Sequence, residues 1–441
     1  MAASAARRVA FRVVRRVFDE GAFTDRAFRA EAERAHLDPR DRAFAQRLAY
    51  ATVQRRATLD HVLARLSSRP LEELDPPLRD ALRIGVAQLL FMESVPARAA
   101  VSETVELAKE AGGGGFRLAN AVMRRAGREA AAVVRQLDDT TPERAALLDS
   151  HPEWVARMWW DALGPEEARA LMRRDNEPAE SAVRANTLKT TAAELAEAIP
   201  VRTRPAANLP EGLVIDEPYD LHGSPLFESG ALMPQSRASM LVARVLDPKP
   251  GDRVLDLCAA PGAKTTHAAA LMDGRGEVIA VEAHAGRADA LAENCRRLGA
   301  GIVEVRQGDS RELIEAEGFD RVLLDPPCSD LGTLQSRPDV RWRKDAGTID
   351  RLVAEQGSLL GSAAQQVRHG GTLVYSTCTI SPRENEEQVL AFLDSHPDFT
   401  ADDLGAELPG YAHPRDGRFL LLLPHRHGTD GFFIARLRRA P

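Results

Sequence analysis

After Pro225 the chain keeps returning to one pattern, a short apolar run that ends in a polar or acidic residue and is followed by a helical stretch. DRVLDLCA, EVIAVEA, IVEVRQGD, FDRVLLDPP and GTLVYSTC are the runs, and TTHAAALM and RADALAENCRRLG are two of the helical stretches between them. Runs that are apolar without strict alternation suit strands buried on both faces, and strands separated by helices pair in parallel. The pattern therefore predicts a mainly parallel α/β sheet over 226–441, with ligands collecting beyond the carboxyl ends of its strands. FFIARLRR near the end predicts one further strand after the one that leads to Cys378.

The preceding residues follow other rules. From Arg7 to about Val134 the apolar spacing is helical, in segments such as LRDALRIGVAQLLFME, VSETVELAKEA and FRLANAVMRRA. Prolines and the Gly112–Gly115 run break these segments, so 1–134 reads as an all-α domain. Residues 135–225 read as linker helices and a small mixed α/β subdomain, with short strands at AVRANTL and GLVID. Trp154, Trp159 and Trp160 there suit either an RNA base or, more commonly, packing at a junction.

Charge is unevenly spread. The net charge is −7, yet residues 1–130 hold 23 basic and 17 acidic residues, leaving the rest at −13. A modestly basic module attached to an acidic one is compatible with local phosphate contacts, and equally with a solvated helical surface. The arginine-interrupted N-terminus is unlike a signal peptide, and no apolar run is long enough to span a membrane. Cys258, Cys295, Cys328 and Cys378 are the only cysteines and form no CxxC pair, which argues against a disulfide framework or a Cys-rich metal site. A cytoplasmic protein is expected.

The strand ends carry acids. Asp256 opens DLCAAPGAKT, Glu282 closes the second strand, and Asp309 and Asp325 follow the third and fourth. The turn matches neither the dinucleotide GxGxxG pattern nor the GxxxxGK[ST] phosphate loop. Four carboxylates at successive strand ends are costly if buried unpaired, so a polar ligand explains them better than packing. An acid at Glu282 can accept from both ribose hydroxyls of a nucleoside cofactor. Spacing favours S-adenosylmethionine and leaves a nucleotide or another small cofactor open. Cys328 lies three residues beyond Asp325, and Cys378 follows the next strand. Each alone reads as packing, but two thiols brought to one cofactor edge point to reactivity.

DLCAAPGAKT, DPPCSDLG and VYSTCTISPRENE resemble the signature segments of bacterial RNA cytosine-5 methyltransferases. The N-terminal helices, with VPARAAVSETVELAKE and FRLANAVMRR, resemble the NusB-type RNA-binding domain of the RsmB/Sun branch of that family. The resemblance covers nearly the whole chain. It implies a NusB-like helical domain, a small RNA-binding subdomain and a Rossmann-like class I methyltransferase domain. The implied cofactor is S-adenosylmethionine, and the implied substrate is 16S rRNA at cytosine 967, free or in a partly assembled small subunit, with the enzyme acting as a monomer.

By the same resemblance Cys258, Ala259, Ala260, Pro261, Gly262, Ala263 and Lys264 form the cofactor turn, with Glu282 on the ribose and Asp309 and Asp325 in the pocket. Cys378 aligns with the nucleophile, Cys328 with the thiol of product release, and Asp325 with a contact to the base. Ala263 and Asp330 stand where the family usually has glycine. Arg7, Arg8, Arg12, Arg15 and Arg16 are candidates to position phosphates, with solvation of the first helix as the ordinary alternative. Arg337, Arg341 and Trp342 are candidates to line the catalytic entrance, Trp342 equally to cover the core. Two other functions fit the same residues: a cytosine methyltransferase for tRNA or another rRNA site, and a non-catalytic RNA-binding protein.

Overall fold

A computed structural model describes residues 3–112, 114–313 and 317–441. The chain forms two compact units, Met1–Pro178 with Leu334–Lys344, and Ala179–Thr333 with Asp345–Pro441.

The first unit is helical: α1 (Ala5–Asp19), α2 (Thr24–Ala35), α3 (Pro39–Gln54), α4 (Arg56–Leu66), α5 (Pro76–Phe91), α6 (Ala97–Glu110), α7 (Phe116–Arg135), α8 (Pro142–Leu148), α9 (Glu153–Leu163) and α10 (Pro165–Arg174). In α1 the buried residues Ala6, Val9, Ala10, Val13, Val14 and Val17 recur at three- and four-residue spacing, so the arginines between them fall at its margins. Proline sets the first turn of α3, where Asp38 Oδ1 accepts from Asp41 N at 2.8 Å. Leu334–Lys344 adds a short 3-10 turn, Pro338–Trp342, to this unit. The boundaries read from sequence, at 134 and 225, stand beside a division at 178: α8–α10 lie in the first unit and the mixed subdomain's strands in the second.

The second unit contains two sheets. The smaller is antiparallel, in the order β2 (Thr203–Ala206), β3 (Leu209–Ile215), β1 (Ser181–Ala185), β4 (Leu232–Pro234). With it come α11 (Ala192–Ala198), α12 (Pro225–Glu228) and α13 (Arg237–Leu246), the last packing against both β3 and the larger sheet. The larger sheet is built from β5 (Arg253–Leu257), β6 (Glu277–Glu282), β7 (Val303–Gln307), β8 (Phe319–Leu324), β9 (Val367–Thr377), β10 (Phe399–Ala401), β11 (Leu420–Leu422) and β12 (Phe432–Arg439). Its order is β10-β12-β9-β8-β5-β6-β7, with β11 beside β12. β7, β6, β5, β8 and β9 run parallel, and the C-terminal strand β12 enters antiparallel to β9, as FFIARLRR foretold. Helices α14 (Ala263–Leu271), α15 (Ala285–Leu298), α16 (Ala346–Gln366) and α17 (Glu386–Ser395) complete the α/β layers. The central strands are buried on both faces (Val254, Leu255, Leu257, Val322, Leu323 and Leu324), which is why their sequence runs do not alternate. The chain order reverses between β5's neighbours β6 and β8, so the loops after β5, β6, β8 and β9 share one end of the sheet.

Candidate active site

The turn after β5 is a tight reversal. Cys258 (φ +63°) and Gly262 (φ +99°) are left-handed, and a Cβ on Gly262 would meet Leu291 Cδ1 at 2.6 Å. Ala263 opens α14 without a positive φ, so the backbone there does not call for glycine. Asp256 is buried beneath the turn, accepts from Thr265 Oγ1 at 2.6 Å, and burial pushes its carboxyl up to about 7.

Glu282 ends β6 and is 2% exposed. Its Oε1 accepts from His284 N at 3.0 Å, while Oε2 has no hydrogen bond among the described residues and the Arg287 guanidinium 3.4 Å away. A buried carboxylate oxygen with spare accepting capacity fits a hydroxyl-bearing ligand such as the ribose of S-adenosylmethionine. Asp309 is different. Its carboxylate accepts from Arg311 Nε at 2.9 Å, and hydrogen bonds from Arg311 hold it down at about 2.

Asp325 begins the loop after β8, with Lys264 Nζ at 2.5 Å on one oxygen and Ser376 Oγ donating at 3.1 Å to the other. Three residues on, Cys328 Sγ lies 3.3 Å from Cys378 Sγ at the end of β9. Adjacent parallel strands thus bring together two thiols fifty positions apart. Cys378 is held well above the ordinary thiol range, first by its hydrogen bond with Cys328, then by burial and the charges of Asp330 and Asp325. The largest single effect on Cys328 is the lowering from its bond with Cys378, but burial and the charges of Asp330 and Glu384 together outweigh it, so it too is raised. Cys258 and Cys295 are pushed up to about 12 by burial, as inert thiols are.

Sequence reading missed the frame around the thiols. Glu384 is buried, and its Oε1 accepts from Ser329 N (2.8 Å) and Gln356 Nε2 (3.1 Å), while Oε2 accepts from Ser329 Oγ (2.6 Å). Ser329 Oγ and Thr379 Oγ1 are 2.7 Å apart, and Asn385 Nδ2 donates to Thr379 O at 3.0 Å. The residues that follow each cysteine are therefore bonded to one another and to the ENE segment. Gly332 N donates to Cys378 O at 2.9 Å, and no side chain fits at Gly332, because a Cβ would meet Gly431 O at 2.1 Å. A charged cluster inside SPRENE, just after an apolar strand, was the available signal. Cys328, Asp330 and Cys378 also offer three donor atoms within 4.8 Å of one another, one fewer than a closed zinc site has.

With this geometry in view, known proteins give a consistent answer. Residues 243–438 match the family model described as 16S rRNA methyltransferase RsmB/F, 4–128 match the NusB family, and 151–222 match a Methyltr_RsmF/B-like, ferredoxin-like domain. The chain is 36% identical over 451 residues to the probable ribosomal RNA small subunit methyltransferase B of Bacillus subtilis, covering 100% of both. It is 34% identical over 415 residues to ribosomal RNA small subunit methyltransferase B of Vibrio cholerae, covering 92% of both. The chain belongs to the ribosomal RNA small subunit methyltransferase B family. Its fold is accordingly a NusB helical domain, a ferredoxin-like subdomain and a Rossmann-like methyltransferase domain. It is an S-adenosylmethionine-dependent rRNA methyltransferase with an RNA substrate. Among solved structures, PH0851 matches with TM-score 0.81 and 29% identity over 99% of this chain and 98% of that one. NSun6 from Pyrococcus horikoshii with SFG matches with TM-score 0.61 and 26% identity over 67% of this chain and 100% of that one.

The RNA-facing candidates of this family member fare unevenly. Arg341 is corrected: it is fully buried in the helical unit, donating to main-chain carbonyls and to Asn176, and lines no entrance. Trp342 covers that unit's core, its indole N–H donating to Val53 O at 2.7 Å. Arg337 is exposed. Arg7 is bound to Gln88 Oε1 at 2.6 Å and lies over the Phe44 ring. Arg8 faces Glu110, Arg15 faces Asp19, and Arg16 faces Glu31. Arg12 is 58% exposed, with Glu31 3.9 Å away. Of Trp154, Trp159 and Trp160 in α9, Trp159 is wholly buried. A cavity of about 490 Å³ between α6 and α7 was not foreseen. Arg98, Arg124 and Arg128 line it together with Ser102 and Asn120. None of these three arginines makes a hydrogen bond or ion pair among the described residues. No helix among the described residues is long and apolar enough to cross a membrane.

Proposed function

We propose that the chain methylates carbon 5 of a cytosine in 16S rRNA, at position 967, through a bond between Cys378 Sγ and carbon 6 of the ring. The observation that carries this reading is the pair of thiols 3.3 Å apart beside Asp325. Carbon 5 of cytosine is a poor nucleophile. Addition of sulfur at carbon 6 moves the C5=C6 electron pair onto carbon 5 and makes it one. S-Adenosylmethionine supplies, when bound, a methyl group on a positively charged sulfur.

Glu282 takes the ribose hydroxyls, the Cys258–Lys264 backbone wraps the cofactor, and Asp309 borders the adenine. Asp325, oriented by Lys264 and Ser376, holds the cytosine at its N3/N4 edge and steadies charge on the adduct. Cys328 assists release of Cys378 after the carbon 5 proton leaves to water. Thiol access to carbon 6 requires the base to leave its stack, so the surrounding RNA is held elsewhere. Phosphates are positioned by the helical domain 1–134, through Arg98, Arg124 and Arg128 with Arg12 as an outlying contact. The enzyme acts as a monomer on unassembled or partly assembled small-subunit RNA.

Two variants test the chemistry. Cys378→Ala loses methyl transfer and forms no adduct. Cys328→Ala still attacks and accumulates a protein–RNA adduct that survives denaturation. Full activity in Cys378→Ala removes the nucleophile assignment, and rapid turnover without adduct in Cys328→Ala removes that residue from release.

A further inference from the structure

Asp330 is at odds with its own backbone. Its φ of +59° lies in the left-handed region, where a side chain costs about 1–2 kcal/mol relative to glycine, though aspartate tolerates it better than most. Its carboxylate Oδ1 is 3.0 Å from Cys378 Sγ and 4.0 Å from Cys328 Sγ. The loop that presents it is fixed: Thr333 N and Oγ1 both donate to Asp330 O, at 3.0 and 2.9 Å, and Ser329 is clamped by Glu384. The loop thus holds a left-handed aspartate with its carboxylate against a half-buried thiol.

The thiol's surroundings say what the carboxylate is for. The groups acting on Cys378 are Asp325 and Asp330 from the β8 loop, Cys328 beside them, and Lys264 from α14. Lys264 is engaged with Asp325 at 2.5 Å, and nothing else cationic meets the sulfur in this set. Burial, two carboxylates and a second thiol therefore keep Cys378 protonated at rest. A protonated thiol must lose its proton as it attacks. Asp330 Oδ1 is the carboxylate oxygen that accepts from the Cys378 thiol, whereas Asp325 accepts from Lys264 and Ser376 and Cys328 is itself a neutral thiol.

We propose that Asp330 is the general base of the addition step, its Oδ1 taking the Cys378 Sγ–H proton while the Sγ–C6 bond forms. The sulfur lone pair makes the new bond, and the C5=C6 pair moves onto carbon 5 and the ring. On release the C5–H pair restores C5=C6, and the carbon 5 proton leaves to water. The Sγ–C6 pair returns to sulfur, and Asp330 hands its proton back. The inference rests on Cys378 being the nucleophile.

The test compares wild type with Asp330→Asn and Asp330→Gly. Asparagine keeps size and tolerates the left-handed backbone but takes no proton, and glycine suits the backbone best. Single-turnover methylation of saturating RNA is followed from about pH 6 to pH 10, with a chelator present, alongside alkylation of Cys378 by iodoacetamide without RNA or cofactor. Both variants slow methylation by roughly 100-fold near pH 7, with RNA affinity unchanged. Their rates climb about tenfold per pH unit toward the thiol's ionisation, where wild type is flatter. Alkylation of Cys378 shifts to lower pH in Asp330→Asn, because a negative charge beside the sulfur is gone. A wild-type rate and pH profile in either variant overturns the proposal. So does a slowed rate whose pH profile and alkylation are unmoved, which marks a structural loss. Cys378→Ala, run in parallel, separates the two ideas: if it still methylates, the nucleophile assignment fails first, and if it is dead while the Asp330 variants are normal, only the base is wrong.

Discussion

Replacing Arg341 by methionine tests whether SRPDVRW is an RNA contact or a tie within the helical unit. The guanidinium is wholly buried and donates to Ser150 O, Asp175 O and Asn176 Oδ1, each at 3.0 Å, with weaker bonds to Gln54 O and Leu334 O. Burial lowers its pKa to about 10, so the group stays charged near neutral pH. Three bonds from a charged donor contribute roughly 1.5–3 kcal/mol each. Against them stands the desolvation that took the guanidinium from 12.5 to about 10, roughly 3 kcal/mol. The balance, with methionine filling most of the volume, is a loss of about 1.5–6 kcal/mol, or roughly 3–24 °C in the melting temperature of a unit this size. The readout is selective, because all four tryptophans (Trp154, Trp159, Trp160 and Trp342) belong to this unit. Their fluorescence reports its unfolding within the full chain. Arg341→Met melts early in this channel and, well below that temperature, binds RNA as wild type does. A wild-type melt combined with weakened RNA binding refutes the reasoning and restores the entrance role.

Asp256 has its carboxyl raised from 3.8 to about 7 by burial, so its contribution is fully present below about pH 4 and lost as pH rises through 7, roughly 4 kcal/mol in all. Asp256→Asn flattens the stability profile of the second unit across that window, and an unchanged slope in urea titrations contradicts the burial argument. Glu282→Ala removes the buried acceptor offered to the ribose and weakens S-adenosylmethionine binding by roughly 10–100-fold in calorimetry, with no effect expected on RNA affinity. Arg98, Arg124 and Arg128 changed together to alanine lower the salt slope of RNA binding by roughly 2, while Arg16→Ala, whose partner is Glu31, leaves it in place. An unaltered slope in the triple variant moves the phosphate contacts elsewhere.

What the sequence revealed, and what it hid, divides along physical lines. Strand-end chemistry was legible because a buried parallel strand is a contiguous apolar run, and the first polar residue after it faces the ligand end. Glu282, Asp325, Cys328 and Cys378 were placed at or just beyond strand ends that way, whereas Asp256 lies within β5, buried and accepting from Thr265 Oγ1. Arg341 was misread because five acceptors drawn from Gln54, Ser150, Asp175, Asn176 and Leu334 leave no local trace of a buried guanidinium. The arginines of α1 looked available because their partners, Glu31 and Glu110 among them, lie on other helices. Asp309 was read as a pocket acid, and its ion pair two residues along, to Arg311, is invisible in a strand-and-turn pattern. Asp330 was noticed only as a departure from glycine, while its left-handed backbone and its contact with Cys378 needed the folded loop.

The central claim is the chemistry at carbon 5 of one rRNA cytosine, and one measurement addresses it directly. Methyl-labelled S-adenosylmethionine is offered with the protein to unmodified 16S rRNA, followed by nucleoside identification and mapping of the labelled position. Label is expected in 5-methylcytosine at a single site and is absent with Cys378→Ala. Label in any other nucleoside, label that persists in Cys378→Ala, or no transfer from folded protein to 16S rRNA, small-subunit particles or tRNA contradicts that chemistry.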